Sequence, residues 1–283
     1  MDLDAVHGAE ALLLPGARTG RDPARSIKRG PSRLPPGVVA ATQRERLLDG
    51  LVHTVAEHGY QRATVSDICR AAGVTRPVFY ELFSGKEDAF LATHRHGTGV
   101  VIRRMAAAFA AAPNWCAGIH DALRAMLDLL ARVPAFATMA VIEVESVGPA
   151  GRREREQLLT RFRAFFAEVP PLPCGVEVQP LVDAVVGGVY STLYRCVDAG
   201  RTGELPAELP MLSLFCLAPF LGPEEAARRL AAAQDLVPAP ALAPVPAPVP
   251  APVPASEPAL EAGPSVADDD PSCTRIDPPS TGQ

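Results

Sequence analysis

Apolar residues at helical spacing, interrupted repeatedly by proline and glycine, restrict the fold of this chain more than any other feature. Between residues 84 and 236 the apolar side chains recur three and four positions apart, which is the period of an amphipathic helix. No stretch there alternates apolar and polar side chains as a half-buried strand does. Aromatic residues make up only 5% of the chain, which also favours helix over strand. The sequence therefore predicts an all-α protein.

Composition divides the chain into four segments. Residues 1–36 mix glycine, proline and arginine without periodicity, which predicts a disordered arm whose second half is basic. Residues 37–83 carry three short helical patterns, and residues 84–236 carry about six more, enough for a helical bundle. In residues 237–283 a proline-alternating stretch precedes acidic residues, which predicts an extended polyproline tail with a disordered end. The breaks expected within the bundle are Pro113-Asn114, Pro134, Gly148-Pro149, Pro170–Gly175, Gly200–Pro206 and Gly222-Pro223.

Positive charge is concentrated in the first third of the chain, although the net charge of the whole is −5. From Arg18 to Lys86 there are 12 Lys and Arg residues against 6 Asp and Glu. A basic segment on an acidic chain is typical of a surface that binds a polyanion, but a solvated basic arm would give the same count. Charge alone therefore leaves both interpretations open.

Residues 64–83 have the pattern of two short helices joined by a tight turn. Thr64 begins the first helix as a hydroxyl N-cap, and Asp67 three positions later nearly completes a capping box. Gly73 permits the positive φ angle that the turn needs. The second helix starts at Thr75 with Pro77 in its first turn, where proline is tolerated. This is the pattern of a helix-turn-helix, whose second helix places its N-terminal side chains in the major groove of DNA.

The same residues resemble the DNA-binding region of the TetR (tetracycline-repressor) family. The positions that match this family's pattern are Thr64, Val65, Ile68, Ala72, Gly73, Val74, Thr75, Phe79, Tyr80, Phe83, Lys86 and Glu87. Cys69 stands where the family usually has alanine, a change between two small apolar residues. With the preceding helix the resemblance covers residues 38–96, and beyond them only the helical character is shared. It implies a three-helix helix-turn-helix domain followed by a helical regulatory and dimerisation domain.

The resemblance also implies which side chains contact DNA. Tyr80 and Lys86 match phosphate-binding residues, with Lys86 at the start of the fourth helix, where the helix dipole attracts anions and a Ser-x-x-Glu capping box is expected at 84–87. Thr64 matches a residue that caps its helix and contacts phosphate. Arg76 is the expected base reader, as a bidentate donor to guanine. The expected DNA-contacting residues are Thr64, Ser66, Thr75, Arg76, Pro77, Val78, Tyr80, Leu82 and Lys86.

Some of these assignments have a plainer alternative. Tyr80 could be a half-buried aromatic with its hydroxyl in water, and Arg76 could reach a phosphate instead of a base. Basic residues of the arm could enter the minor groove, although disorder is the expectation for them. These residues are Arg25, Lys28, Arg29 and Arg33.

Region 84–236 is expected to bind a small-molecule ligand, as in the resembled family. The expected pocket residues are Trp115, Met126, Phe136, Met139, Glu143, Phe162, Phe166 and Tyr190, although such residues on helices are also ordinary core. Glu143 and Glu145 lie in an apolar run, where they would recognise a cationic ligand or pair with an arginine among residues 152–155. The ion pair is the preferred interpretation.

Two helices of unusual composition are expected to form a dimer interface. Helix 181–200 contains a glycine pair that costs about 1 kcal/mol per glycine against alanine, which a close helix approach would explain. Helix 211–221 is apolar nearly all round. The expected interface residues are Gly187, Gly188, Leu193, Tyr194, Leu212 and Phe215. The alternative is that both helices serve the core of a single subunit.

Together these features predict a homodimeric transcription repressor that a ligand releases from a palindromic operator by shifting the helix that begins at Lys86. An alternative of another class is a protein-interaction scaffold that uses the Pro-rich tail. No phosphate-loop, nucleophile or metal motif occurs, so neither an enzyme, a cofactor nor a metal site is expected. No run approaches the roughly 18 apolar residues of a membrane span and no signal peptide is evident, so a cytoplasmic protein is expected. Buried thiols are expected at Cys69, Cys196 and Cys216.

Overall fold

The computed structural model describes residues 13–22, 35–169 and 177–234, and every regular element in these ranges is helical. In chain order the α-helices are α1 (Pro36–His58), α2 (Val65–Ala72), α3 (Arg76–Leu82), α4 (Lys86–Ala111), α5 (Trp115–Arg132), α6 (Pro134–Ala137), α7 (Val144–Ser146), α8 (Pro149–Arg163), α9 (Val178–Asp198), α10 (Leu209–Leu221) and α11 (Pro223–Gln234). A π-helical turn, Thr138–Glu143, joins α6 to α7, and 3-10 helices occupy Ala164–Phe166 and Thr202–Glu208. The predicted all-α fold is confirmed.

Helices α1 to α3 form the predicted helix-turn-helix unit. The capping box at the start of α2 is complete, because Asp67 N donates to Thr64 Oγ1 (3.2 Å) and Thr64 N donates to Asp67 Oδ2 (3.2 Å). Gly73 adopts φ 61° between α2 and α3. The fully buried Phe79 fixes α3 against the other two helices. The local signals in the sequence therefore act as expected in this unit.

The start of α4 differs from the predicted capping box. Gly85 is the N-cap residue, no side-chain cap hydrogen bond is made there, and Ser84 is bound by Asp88 rather than Glu87. The Asp88 carboxylate accepts hydrogen bonds from the backbone N–H (2.9 Å) and the hydroxyl (3.2 Å) of Ser84. The prediction was wrong because the helix begins two residues after Ser84. Ser84 is therefore bound by the carboxylate four positions later, on Asp88, instead of the one three positions later, on Glu87.

The bundle is built on α4 and α5, which pack side by side along their length. The chain then bends by 107° into the helix formed by α6, the π-helical turn and α7. This bent helix packs against α1 and so joins the helix-turn-helix to the bundle within one compact unit. A division of these helices at residue 83 therefore remains a proposal. The predicted breaks that fall in the described ranges are found there, whereas Pro170–Gly175 lies outside them.

Helix α10 and the preceding 3-10 helix form the most apolar element. Thr202–Leu221 is long and apolar enough to cross a membrane by length and composition, with a mean hydropathy of 1.3, so the expectation that no run approaches this length was wrong. A core helix passes the same test, and one face of α10 is buried through Leu212, Cys216 and Leu217. Cys69 and Cys196 are also buried free thiols, as expected.

Part of the predicted disordered arm is an ordered strap, residues 13–22, packed across α1. Leu14 is buried, and Gly16 N donates to the buried carboxylate of Asp49 (2.7 Å). Arg46 Nε donates to the carbonyl of Gly20 (2.9 Å), and Arg21 Nε donates to the carbonyl of Arg70 at the end of α2 (2.8 Å). The prediction of disorder is wrong for the strap, because hydrogen bonds between its residues and α1 and α2 hold it in place. Bonds that involve backbone atoms produce no periodic pattern in the sequence. The basic residues of 23–34 and the tail 237–283 lie outside the described residues.

Candidate functional site

The exposed side of α3 and the start of α2 form one polar surface, here called the reader face. It consists of Thr64, Ser66, Thr75, Arg76, Pro77 and Tyr80, all of which are exposed. The aromatic ring of Tyr80 stands edge-on to that of Phe79, with 5.3 Å between the ring centroids, and 51% of Tyr80 is exposed. Val78 and Leu82 are only partly exposed, and Leu82 packs against the core. The structure thus brings most of the expected DNA-contacting side chains onto one face.

Thr64 acts as a cap, and its hydroxyl is committed to that task. The hydroxyl donates to Asp67 Oδ2 at 2.6 Å while accepting from the backbone N–H of Asp67. Because a hydroxyl has one proton, this arrangement leaves none for a phosphate oxygen. The expected phosphate contact of Thr64 stays a prediction, and at this position backbone N–H groups at the start of α2 are the available donors.

Lys86 bonds backbone carbonyls in this structure, and its expected phosphate contact stays a prediction. Its ammonium donates to the carbonyls of Tyr60 (2.7 Å), Ala63 (3.0 Å) and Gln61 (3.4 Å) in the turn between α1 and α2. It also lies 4.3 Å from the centre of the Tyr60 ring. An ammonium has three N–H donors, so these carbonyls occupy all of them. Burial lowers the pKa of this ammonium. Through these hydrogen bonds Lys86 links the start of α4 to this turn.

Glu143 holds the opposite side of the same turn. Its Oε2 accepts a hydrogen bond from the backbone N–H of Tyr60 at 2.8 Å, and Gln61 Nε2 donates to the carbonyl of Ser146 at 2.6 Å. The expected roles of Glu143, as a pocket residue or an arginine partner, were both wrong. The ion pair is formed instead by the neighbouring Glu145, whose carboxylate lies 2.5 Å from Arg155.

A small apolar cavity of about 50 Å³ lies inside the bundle. Its lining residues are Met105, Ile119, Ala122, Leu123, Met126, Leu159, Phe162, Phe165, Phe166, Val186, Val189, Tyr190, Leu193 and Cys216. Only a phenol and a thiol among them are polar, and the Tyr190 hydroxyl donates to the carbonyl of Val141 at 2.9 Å. Burial and the nearby Glu145 carboxylate raise the pKa of Tyr190 to about 12, although Arg155 opposes this.

Four of the expected pocket residues line this cavity and four do not. Met126, Phe162, Phe166 and Tyr190 are among its walls, and their role in ligand binding stays a prediction. Phe136 and Met139 are fully buried and pack in the core at and next to the π-helical turn. Trp115 donates its indole N–H to the carbonyl of Phe165 (3.0 Å) and packs edge-on against Phe166 and Phe220. Glu143 binds the turn described above.

An exposed apolar surface on α9 and α10, here called the outer face, partly matches the expected dimer interface. It includes the exposed side chains of Tyr194, Met211, Leu214 and Phe215, with Gly187 exposed beside them. Leu193 and Leu212 are buried in the subunit's own core, so they were wrongly expected at its surface. Gly188 faces the ring of Phe215, and a Cβ there would lie 2.6 Å from that ring. This glycine therefore serves the approach of α10 to α9 within one chain.

His94 is an unexpected buried polar residue on α4. It is 1% exposed, and neither ring nitrogen has a hydrogen bond of ordinary geometry among the described residues. Burial lowers the pKa of this imidazole to about 4, opposed by the nearby Glu154 carboxylate and the backbone of Ala140. The ring is therefore neutral at physiological pH.

The arrangement of α1 to α3, with an exposed polar second helix next to a capped first helix, defines a helix-turn-helix DNA-binding protein. Residues 47–93 match the family model for bacterial regulatory proteins of the tetR family. This part of the chain is therefore a helix-turn-helix domain of the tetR type.

Curated relatives match only part of the chain. The chain is 35% identical over 60 residues to the fatty acid metabolism regulator protein of Bacillus subtilis, a match covering 21% of this chain and 31% of the relative. It is 26% identical over 125 residues to the nucleoid occlusion factor SlmA of Haemophilus influenzae, covering 44% of this chain and 55% of that protein. The match thus spans about a third of the first relative and about half of the second.

Among solved structures, the fold is similar to that of the transcriptional regulator FadR from Bacillus subtilis in complex with stearoyl-CoA. The TM-score is 0.54 at 20% identity, and the match covers 60% of this chain and 96% of that one. This similarity shows a shared fold that extends from the helix-turn-helix into the bundle.

Proposed function

We propose that the chain is a homodimeric transcription repressor whose two reader faces bind a palindromic operator and are released by an apolar-chain ligand. The observation that carries this proposal is the reader face itself. Its exposed residues surround the N-terminal half of α3, the part of a recognition helix that meets base edges. In this proposal Arg76 reads a guanine and Tyr80 bonds a phosphate, assisted by backbone N–H groups of α2.

The outer face supports the dimer. Four large apolar side chains are exposed on α9 and α10, between 37% and 45% each. Contiguous exposed apolar surface of this kind marks an interaction site in soluble proteins. A second copy of the chain is the occupant we propose, because a palindromic operator presents two half-sites and so requires two reader faces.

The cavity lining supports an apolar ligand. None of its lining side chains carries a formal charge at neutral pH, and the Tyr190 hydroxyl is already bonded, so a buried ionic group would remain uncompensated. An alkyl or acyl chain meets no such cost. The similar regulator from Bacillus subtilis was solved with stearoyl-CoA. Because the cavity holds only about 50 Å³, a ligand of this size must move the helices apart to enter.

The test is a titration of the purified protein against genomic fragments, followed by release with palmitoyl-CoA. We expect selective binding of a palindromic fragment and release by palmitoyl-CoA but not by acetyl-CoA, which carries the same head group without the chain. If a fragment is bound selectively and neither palmitoyl-CoA nor acetyl-CoA releases it, only the proposed class of ligand is contradicted. If no genomic fragment is bound selectively, the proposal that the chain is a DNA-binding regulator is contradicted.

A further inference from the structure

The turn between α1 and α2, residues 59–63, is held from both sides by side chains outside the helix-turn-helix. Lys86 at the start of α4 bonds its carbonyls, and Glu143 in the π-helical turn bonds the N–H of Tyr60. Gly59 adopts φ 74°, and a Cβ at this position would lie 3.5 Å from the Glu143 carboxylate. A charged acceptor on a backbone donor is among the stronger hydrogen bonds in proteins.

The π-helical turn that carries Glu143 is also connected to the cavity. Tyr190 lines the cavity on one side and donates its hydroxyl to the carbonyl of Val141 in the π-helical turn. Val141 and Glu143 are two residues apart within that turn. A continuous series of contacts therefore runs from the cavity wall to the helix-turn-helix, and no DNA-contacting side chain takes part in it.

A π-helical turn contains one residue more than the α-helical turn it replaces. Such turns are uncommon and frequently occur at functional sites. If the turn reverts to α-helix, its residues rotate by about 100° relative to the rest of the helix, the angle of one residue. A rotation of that size would remove the Glu143 carboxylate from the N–H of Tyr60.

We propose that Glu143 is a positioning residue for the reader face, and that Tyr190 links it to the cavity through the π-helical turn. With the cavity closed, the Tyr190 hydroxyl holds the carbonyl of Val141, and Glu143 holds the turn between α1 and α2. A chain that enters the cavity displaces the phenol ring, the π-helical turn relaxes, and the reader face loses its support from the bundle. This mechanism rests on the proposed DNA-binding function.

The test compares two substitutions that leave the reader face intact, Glu143→Ala and Tyr190→Phe. Tyr190→Phe keeps the ring in the cavity wall and removes only the hydroxyl. In both variants we expect the amide proton of Tyr60 to exchange faster and the operator to bind about tenfold more weakly. Because the two residues act in series, the double variant should bind the operator no more weakly than the single variant with the lower affinity.

Two further variants serve as controls. Glu145→Ala removes a carboxylate two positions away that pairs with Arg155, and it should leave exchange at Tyr60 and operator binding unchanged. Glu143→Gln retains an oxygen acceptor and should restore most of the protection, which keeps the test decisive if Glu143→Ala fails to fold.

Unchanged exchange at Tyr60 in Tyr190→Phe would overturn the proposal, as would strictly additive effects in the double variant. Hydrogen exchange does not require DNA. If the wild-type protein binds no operator, the proposed function fails, whereas the link between Tyr190 and Tyr60 is still decided by exchange.

Discussion

Lys86 shows that a position matching the family pattern can have partners that the sequence does not indicate. The match to the family pattern at the start of α4 is real, yet the ammonium bonds three carbonyls of the turn between α1 and α2. The sequence does not indicate these bonds because the carbonyl partners are 23 to 26 residues away and belong to the backbone. Thr64 and Gly73 were predictable for the opposite reason, since a cap and a positive φ angle depend on near neighbours.

Replacing Lys86 separates its two possible uses. Lys86→Met removes the ammonium but keeps an apolar stem, and it leaves the bonded carbonyls unsatisfied. We expect the free energy of unfolding to fall by about 2 kcal/mol in urea titrations. The salt dependence of operator binding should keep its slope. A slope that falls by about one would instead mean that this ammonium neutralises a phosphate.

His94 predicts a pH dependence of stability. Its pKa falls from 6.5 to about 4 on folding, so the unfolded chain binds the proton more readily. Stability should therefore decrease as the pH falls from 6.5 towards 4, by up to about 1.4 kcal/mol per pH unit from this group. Urea unfolding of wild type and His94→Leu at several pH values isolates the effect, because the carboxylates titrate in both proteins. Parallel curves for the two proteins would contradict the assignment.

At the scale of elements, helix boundaries were predictable and irregular segments were not. Proline and glycine breaks end helices through local sterics, so α5, α8 and α11 begin where the sequence indicates. The strap and the π-helical turn were missed for different reasons. The strap is held by backbone bonds to Asp49 and Arg46, and one extra residue in a helical turn leaves apolar spacing almost unchanged.

The strap carries a prediction of its own. Gly16 has φ 84°, and a Cβ there would lie 2.4 Å from Val52 of α1. Gly16→Val should therefore lower the free energy of unfolding by about 2 kcal/mol or more, from backbone strain and overpacking. Gly203→Val is the matched control, because no other atom lies within 4 Å of a Cβ at that position. Equal stability of the two variants would show that the strap is not packed as described.

At the scale of the whole molecule, the proposal predicts that contact through the outer face brings two reader faces together. Leu214→Glu places a charge on that face, and we expect a monomer in sedimentation measurements and loss of tight binding to a two-half-site operator. Leu13→Glu is the control, since this leucine is similarly exposed (42% against 38%) but lies on the strap. A Leu214→Glu protein that remains dimeric would place the subunit contact elsewhere.

The central claim is that the exposed side of α3 reads DNA, and one titration tests it most directly. Wild type and the double variant Arg76→Ala/Tyr80→Phe are titrated against the selected operator at physiological salt, with Arg153→Ala on the exposed side of α8 as control. We predict tight binding by wild type and the control, and at least about a hundredfold loss in the double variant. Equal binding by all three proteins would contradict the claim.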